Sequence, residues 1–176
     1  MKKLQNIGRI GRFFTSGETL LGPNALAGLA RLTVNRAVVV VSPSVWSRHQ
    51  KYISKCLSRL SIEVLEAPKG EPTSKKALQL AKQFKNFSPD IVIAIGGGSV
   101  IDVAKLAWVL FEKPEMQLET NRVIFPVSNL RSKLTGFVAV PTTYGSGSEN
   151  SSAAVFQHGE GKQKKFLVGP ELLPDI

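Results

Sequence analysis

Four short aliphatic runs recur along this chain: AVVVVS at 37–42, IEVLEA at 62–67, IVIAI at 91–95 and FVAVP at 137–141. Runs that stay apolar without alternating fit strands whose two faces are both covered by helices, the arrangement of a parallel sheet. The segments between them carry the other period. Trp46, Ile53, Leu57 and Leu60 are spaced for a helix over 44–60 after Pro43 stops the first strand. Leu78, Leu80, Ala81 and Phe84 mark a second helix that follows the PKGEPT loop and ends at Ser88 and Pro89. A third runs from Ser99 to about Phe111, and a polar connection over 112–121 leads to the FVAVP run. SSAAVF and KFLVG read as two more strands flanking a basic turn. Repeated strand–helix units joined by right-handed crossovers predict an α/β fold: an open, mostly parallel, Rossmann-like sheet with helices on both faces. At 176 residues the chain has room for one such domain, covering 1–176.

In such sheets ligands bind beyond the carboxyl ends of the strands, where loops meet helix N-termini. Gly96, Gly97 and Gly98 stand at one such joint, between IVIAI and the third helix. Lacking Cβ atoms, they could take up positive φ and let a phosphate reach the backbone, while the helix N-terminus attracts the anion. Ser99 is placed to cap that helix, with Asp102 three residues on as in a capping box. Taken alone, GGGS fits a tight turn as readily as a phosphate cradle. The second joint, AVPTTYGSGSEN at 139–150, leaves its strand into a loop dense in Thr142, Thr143, Ser146, Ser148, Gly145 and Gly147. That much hydrogen-bonding capacity after a buried strand suits a polar ligand lying along the sheet edge.

Composition removes other classes. Hydrophobic residues make up 43% of the chain and charged ones 20%, which speaks for a folded domain and against disorder. No apolar run approaches the roughly 20 residues a bilayer span needs, and MKKLQNIGRIGRFF lacks the apolar centre of a signal peptide. The expectation is a cytoplasmic protein with no membrane partner. The single cysteine, Cys56, allows no intrachain disulfide and reads as a buried thiol. The net charge of +10 raises nucleic acid as a partner, but the basic residues fall in separate groups. Lys2, Lys3, Arg9 and Arg12 form one, Lys75, Lys76, Lys82 and Lys85 another, Lys162, Lys164 and Lys165 a third. No nucleic-acid motif interleaves them, so no nucleic-acid partner is expected, and the charge reads as solvated faces with a pull on anionic cofactors.

GGGSVIDVAK together with PTTYGSGSE resembles the paired signatures of the iron-containing (group III) alcohol dehydrogenases, which share their fold with glycerol dehydrogenase and dehydroquinate synthase. The resemblance runs from GRFFTSGETL through GEPT to KFLVGPELLPD. It implies a dinucleotide, NADP or NAD, with its pyrophosphate held by Gly97, Gly98 and Ser99 and further contacts from Thr142 and Thr143. Ser146, Ser151 and Lys164 would continue the site toward the nicotinamide, with Lys165 the alternative to Lys164. Ser42 stands where the family commonly has Asp against the adenosine ribose, which favours NADP unless Glu66 or Glu71 supplies a carboxylate. Glu71 also replaces the Asn usual before the loop proline, and GSGSE replaces GTGSE.

In this family a helical C-terminal domain supplies one Asp and three His to a divalent metal, Fe2+ or Zn2+. The metal acts as a Lewis acid on an alcohol or aldehyde while hydride passes to or from the nicotinamide. The present sequence stops at LLPDI, where that domain would begin, and its two histidines, His49 and His158, show no metal-ligand spacing. The expectation is therefore the cofactor-binding half of an oxidoreductase, with no catalytic or metal-binding residue of its own and a tendency to form homo-oligomers. A stand-alone nucleotide-binding module is the alternative, and a lyase of the dehydroquinate synthase type a more distant one.

Overall fold

The aliphatic runs pair side by side into one parallel sheet. β1 (Arg36–Val41) lies between β2 (Ser61–Glu66) and β3 (Ile91–Gly96), and β5 (Gly136–Pro141) completes the order β2-β1-β3-β5. The register sets the strand ends level: Val41 is opposite Glu66 and Ile95, and Gly96 is opposite Pro141. Chain leaving β1, β3 and β5 therefore emerges along a single edge. These facts belong to a computed structural model that describes residues 17–118, 121–159 and 163–176. The basic residues Lys2, Lys3, Arg9, Arg12 and Lys162, and the start of GRFFTSGETL, lie outside the described residues.

The period-2 geometry of a strand divides each run between two cores. Val38, Val40, Val92 and Ala94 face one of them, with α2 (Ser74–Phe87) and α3 (Gly98–Glu112). Ala37, Val39, Val41, Ile91, Ile93 and Ile95 face the other, where α1 (Pro43–Cys56) and a 3-10 segment at Ala25–Arg31 contribute Ile53 and Leu29. Covering on both sides is the reason the strands read as continuous apolar runs.

Helix boundaries follow local chemistry. α1 opens on Pro43, whose missing N–H costs nothing in a first turn. It ends at Cys56, before the expected Leu60. Leu57 is nonetheless buried, because a turn closed by Leu60 N–H donating to Leu57 O (2.9 Å) folds it inward. Thr73 caps α2 by accepting from Lys76 N–H at 3.2 Å, and Ser88 ends it in the left-handed region, φ 52°.

β4 (Ile124–Pro126) has no counterpart in the sequence pattern, being a strand of three residues and too short to show a period. It pairs with β7 (Gln163–Val168), which runs antiparallel to β6 (Ala153–His158), so KFLVG and SSAAVF form a second sheet of order β4-β7-β6. α3 lies between the two sheets, and that position explains why it is buried around most of its girth. Its far end is tied to the chain entering β5. The Glu112 carboxylate accepts from the backbone N–H groups of Ser132, Lys133 and Leu134, from the Ser132 hydroxyl, and from the Trp108 indole. Among the described residues no helix is long and apolar enough to cross a membrane.

Candidate functional site

The level strand ends bring three loops together. Ser42 N–H donates to Ile95 O (3.0 Å) and Thr142 N–H donates to Gly96 O (3.0 Å), which stitches the exits of β1 and β5 to that of β3. At the start of α3, Gly97 O accepts from Val100 (2.9 Å) and Ile101 (3.2 Å). The N–H groups of Gly98 and Ser99 have no preceding helical carbonyl to receive them, and they form part of the helix's positive end.

The three glycines are required for space. None of them takes a positive φ, contrary to the expectation; that conformation occurs at Gly145 (φ 85°) and Gly147 (φ 67°) in the opposing loop. A Cβ on Gly96 would meet Val100 Cγ2 at 2.6 Å, and one on Gly97 would meet Thr143 Oγ1 at 3.0 Å. A Cβ on Gly98 would meet Ser146 Cβ at 2.7 Å and Ser148 Oγ at 3.1 Å. The two glycine-bearing loops therefore touch each other, with hydroxyls packed onto the cradle.

Gly97, Gly98, Thr143 and Ser146 are thus assembled at one place, with Ser42 and Thr142 at the same sheet edge. Ser99 is exposed and lies inside the first turn of α3; Gly97 holds the cap position, and no side chain caps the helix. Asp102 is not a cap either. Its carboxylate accepts from Val155 N–H at 3.1 Å and lies 9% exposed under the second loop. Burial pushes this carboxyl above its usual range, opposed by the Val155 amide, the Ser148 hydroxyl and the Lys105 charge. The Ser42 hydroxyl is 2.9 Å from that of Ser44. Ser146 Oγ donates to Glu149 (3.1 Å), and Ser151 Oγ accepts from Ala153 N–H (3.1 Å).

One match decides the family: a model described as iron-containing alcohol dehydrogenase covers residues 16–176. The chain belongs to the iron-containing alcohol dehydrogenases. It is 28% identical to an alcohol dehydrogenase of Thermococcus barophilus, over 93% of this chain and 45% of the relative. Identity to an NADPH-dependent butanol dehydrogenase of Clostridium saccharobutylicum is also 28%, over 94% of this chain and 43% of that one. The solved structure of an iron-containing alcohol dehydrogenase from Thermococcus thioreducens superposes with a TM-score of 0.83 at 26% identity, covering 93% of this chain and 45% of that chain. The chain spans somewhat under half the length of these relatives.

Two features bear on what this iron-containing alcohol dehydrogenase chain can hold. The glycine cradle, the α3 N-terminus and the loop hydroxyls fit the phosphates of a nicotinamide dinucleotide. Among the described residues there is no group of three or more His, Cys, Asp or Glu side chains that could hold a metal ion. His49 is exposed on α1, and His158 Nδ1 is 2.8 Å from Ser74 Oγ.

The lysines of β7 separate by strand alternation. Lys164 is exposed opposite Gln157, on the second sheet and not on the sheet that carries the glycine loop. Lys165 points inward, 2% exposed, and donates to Leu118 O at 2.8 Å. What sequence reasoning passed over is Lys105, fully buried beneath the 146–153 segment, and the burial of Ser148 within the hydroxyl loop. The signal was present in the spacing, since Gly98, Asp102 and Lys105 stand at i, i+4 and i+7 on one helical face. A groove of about 360 Å3 also opens beside β5, lined by Leu26, Leu29, Val138 and Val140 and reaching Glu149 and Asn150.

Proposed function

We propose that residues 1–176 are the dinucleotide-binding domain of a metal-dependent, NAD(P)-linked alcohol dehydrogenase or aldehyde reductase. The observation that carries the reading is the contact between the glycine cradle and the hydroxyl loop at the start of α3, where Gly98 lacks room for a single methyl group. Such a joint holds a pyrophosphate between backbone N–H groups and hydroxyls with little reorganisation. Gly97, Gly98 and Ser99 would bind the phosphates; Thr142 and Thr143 would contact the cofactor, and Ser146, Ser151 and Lys164 would continue the site toward its nicotinamide. Ser151 and Lys164 are the weaker members of the set, since the Ser151 hydroxyl is engaged within its own loop and Lys164 stands on the second sheet.

When bound, the nicotinamide accepts hydride from an alcohol or delivers it to an aldehyde. The groove beside β5 offers an apolar space next to the hydroxyl loop for a small substrate. The ligands for Fe2+ or Zn2+ would come from polypeptide outside these residues. This agrees with the share of the relatives' length that the chain spans.

Ser42 leaves the end of β1 without the carboxylate that would repel a 2′-phosphate, so NADP(H) should bind at least as tightly as NAD(H). Glu66, at the end of β2 opposite Val41, is the competing carboxylate. Fluorescence titration of the purified chain with NADPH and NADH tests the assignment. Saturable binding of either supports it, and binding of neither refutes it.

A further inference from the structure

A fully buried lysine needs a reason, because an ammonium removed from water costs several kcal/mol unless every proton finds an acceptor. Lys105 is 0% exposed. Its Nζ donates to Ser148 O at 2.8 Å, Ser151 O at 2.5 Å and Ala153 O at 3.3 Å. All three acceptors are backbone carbonyls of one segment, the short 3-10 turn Ser148–Asn150 and its passage into β6.

That segment is the continuation of the hydroxyl loop, and it runs along a single stripe of α3. Ser146 and Ser148 pack on Gly98; Ser148 and the Val155 amide engage Asp102; the carbonyls of 148, 151 and 153 converge on Lys105. The stripe runs over eight residues, Gly98 to Lys105, about 10 Å of helix. Neutral side chains could not replace it equally: three carbonyls pointing at one buried spot call for a donor with three protons, which lysine alone among the side chains supplies from a single atom. Burial lowers the Lys105 ammonium to about 8, against the pull of Asp102 and Glu149, so the fold carries this charge at a cost.

We propose that Lys105 is a positioning residue for the dinucleotide site: by gathering the carbonyls of Ser148, Ser151 and Ala153 it fixes the hydroxyl loop along α3 and sets Ser146 and Ser148 over Gly98. The inference rests on the dinucleotide reading given above. It assigns the cost of the buried ammonium to cofactor binding and not to stability. Removing the charge should leave the fold near its original stability while loosening the loop.

The test compares the wild-type chain with Lys105→Met, close to lysine in length. Three quantities are read: the dissociation constants for NADPH and NADH, the melting temperature, and hydrogen exchange of the 146–155 amides without ligand. The expected result is a rise of about 10-fold in the dissociation constant and exchange about 10-fold faster over 146–155, with β1 and β3 unchanged and the melting temperature within about 4 °C. Unchanged affinity in Lys105→Met overturns the proposal, and so does an affinity loss that merely tracks a general fall in protection and melting temperature. Should Lys105→Met not fold, Lys105→Gln, which keeps two N–H donors, is judged by the same comparison. A wild-type chain that binds neither cofactor refutes the dinucleotide reading itself, and this inference falls with it. Binding by the wild type with no effect of Lys105→Met refutes the inference alone.

Discussion

Replacing Gly98 with alanine adds one methyl group where the glycine turn and the hydroxyl loop touch. Its carbon would lie 2.7 Å from Ser146 Cβ and 3.1 Å from Ser148 Oγ. Carbon atoms rest about 3.5–4.0 Å apart, so Ser146 must retreat by about 1 Å. Two terms compete in the fold. Alanine within a helix is favoured over glycine by about 1 kcal/mol, while overpacking costs about 1–3 kcal/mol. Because Ser146 is exposed and its loop can move outward, the net destabilisation should be at most about 2 kcal/mol, a fall of some 4–8 °C in melting temperature for a chain of this size. Binding has no such relief, since the retreat carries the Ser146 hydroxyl off the line on which it faces the α3 N-terminus. We expect the dissociation constants for NADPH and NADH to rise at least about 10-fold, close to 1.4 kcal/mol. Fluorescence titration gives the affinity, and differential scanning fluorimetry the stability, on the same preparation. If Gly98→Ala binds as the wild type does while remaining folded, the three glycines make only a turn and the phosphate cradle is wrong.

Three other outcomes are expected. Glu112→Ala strips the acceptor from three backbone N–H groups, a hydroxyl and an indole, and should destabilise by at least about 2 kcal/mol in urea denaturation with cofactor affinity per folded molecule unchanged. Burial raises the Glu112 carboxyl, but the Ser132, Leu134, Lys133 and Trp108 donors outweigh it and hold the group below its ordinary 4.5. This support is therefore present above 4.5 and disappears as pH falls through the lowered folded value, and acid titration of wild type against Glu112→Gln reads it. Lys105 has the opposite chemistry: it titrates near 8 when folded and at 10.5 when unfolded, so the unfolded chain holds the extra proton between those values. Stability should rise with pH from 8 to 10.5, by up to about 3 kcal/mol from this group, and the rise should vanish in Lys105→Met; urea midpoints across that window decide it. Ser42→Asp should move cofactor preference toward NADH, whereas a wild type that already prefers NADH would shift attention to Glu66, tested by Glu66→Gln.

Much of this molecule was legible before folding. A strand covered on both faces has no polar side to display, so AVVVVS and IVIAI announced a parallel sheet through their composition alone. Glycines at the exit of IVIAI and hydroxyls at the exit of FVAVP pointed to two loops that the structure brings together as the candidate site, because chain leaving a parallel sheet must emerge along a common edge. What they required of each other was invisible. Gly98 has no need of a special φ; it is glycine because Ser146, 48 residues away, occupies the space of its Cβ. Asp102 read locally as part of a cap and Lys105 drew no reading at all; both are buried because the 148–155 segment, leading into β6, is laid across α3. β4 left no pattern at all, its strand character coming from β7. Local sequence fixes the period and the turn chemistry, since both arise between neighbours in the chain. Burial, charge pairing and the exclusion of a methyl group arise between segments remote in sequence, and only the packed structure brings those segments into contact.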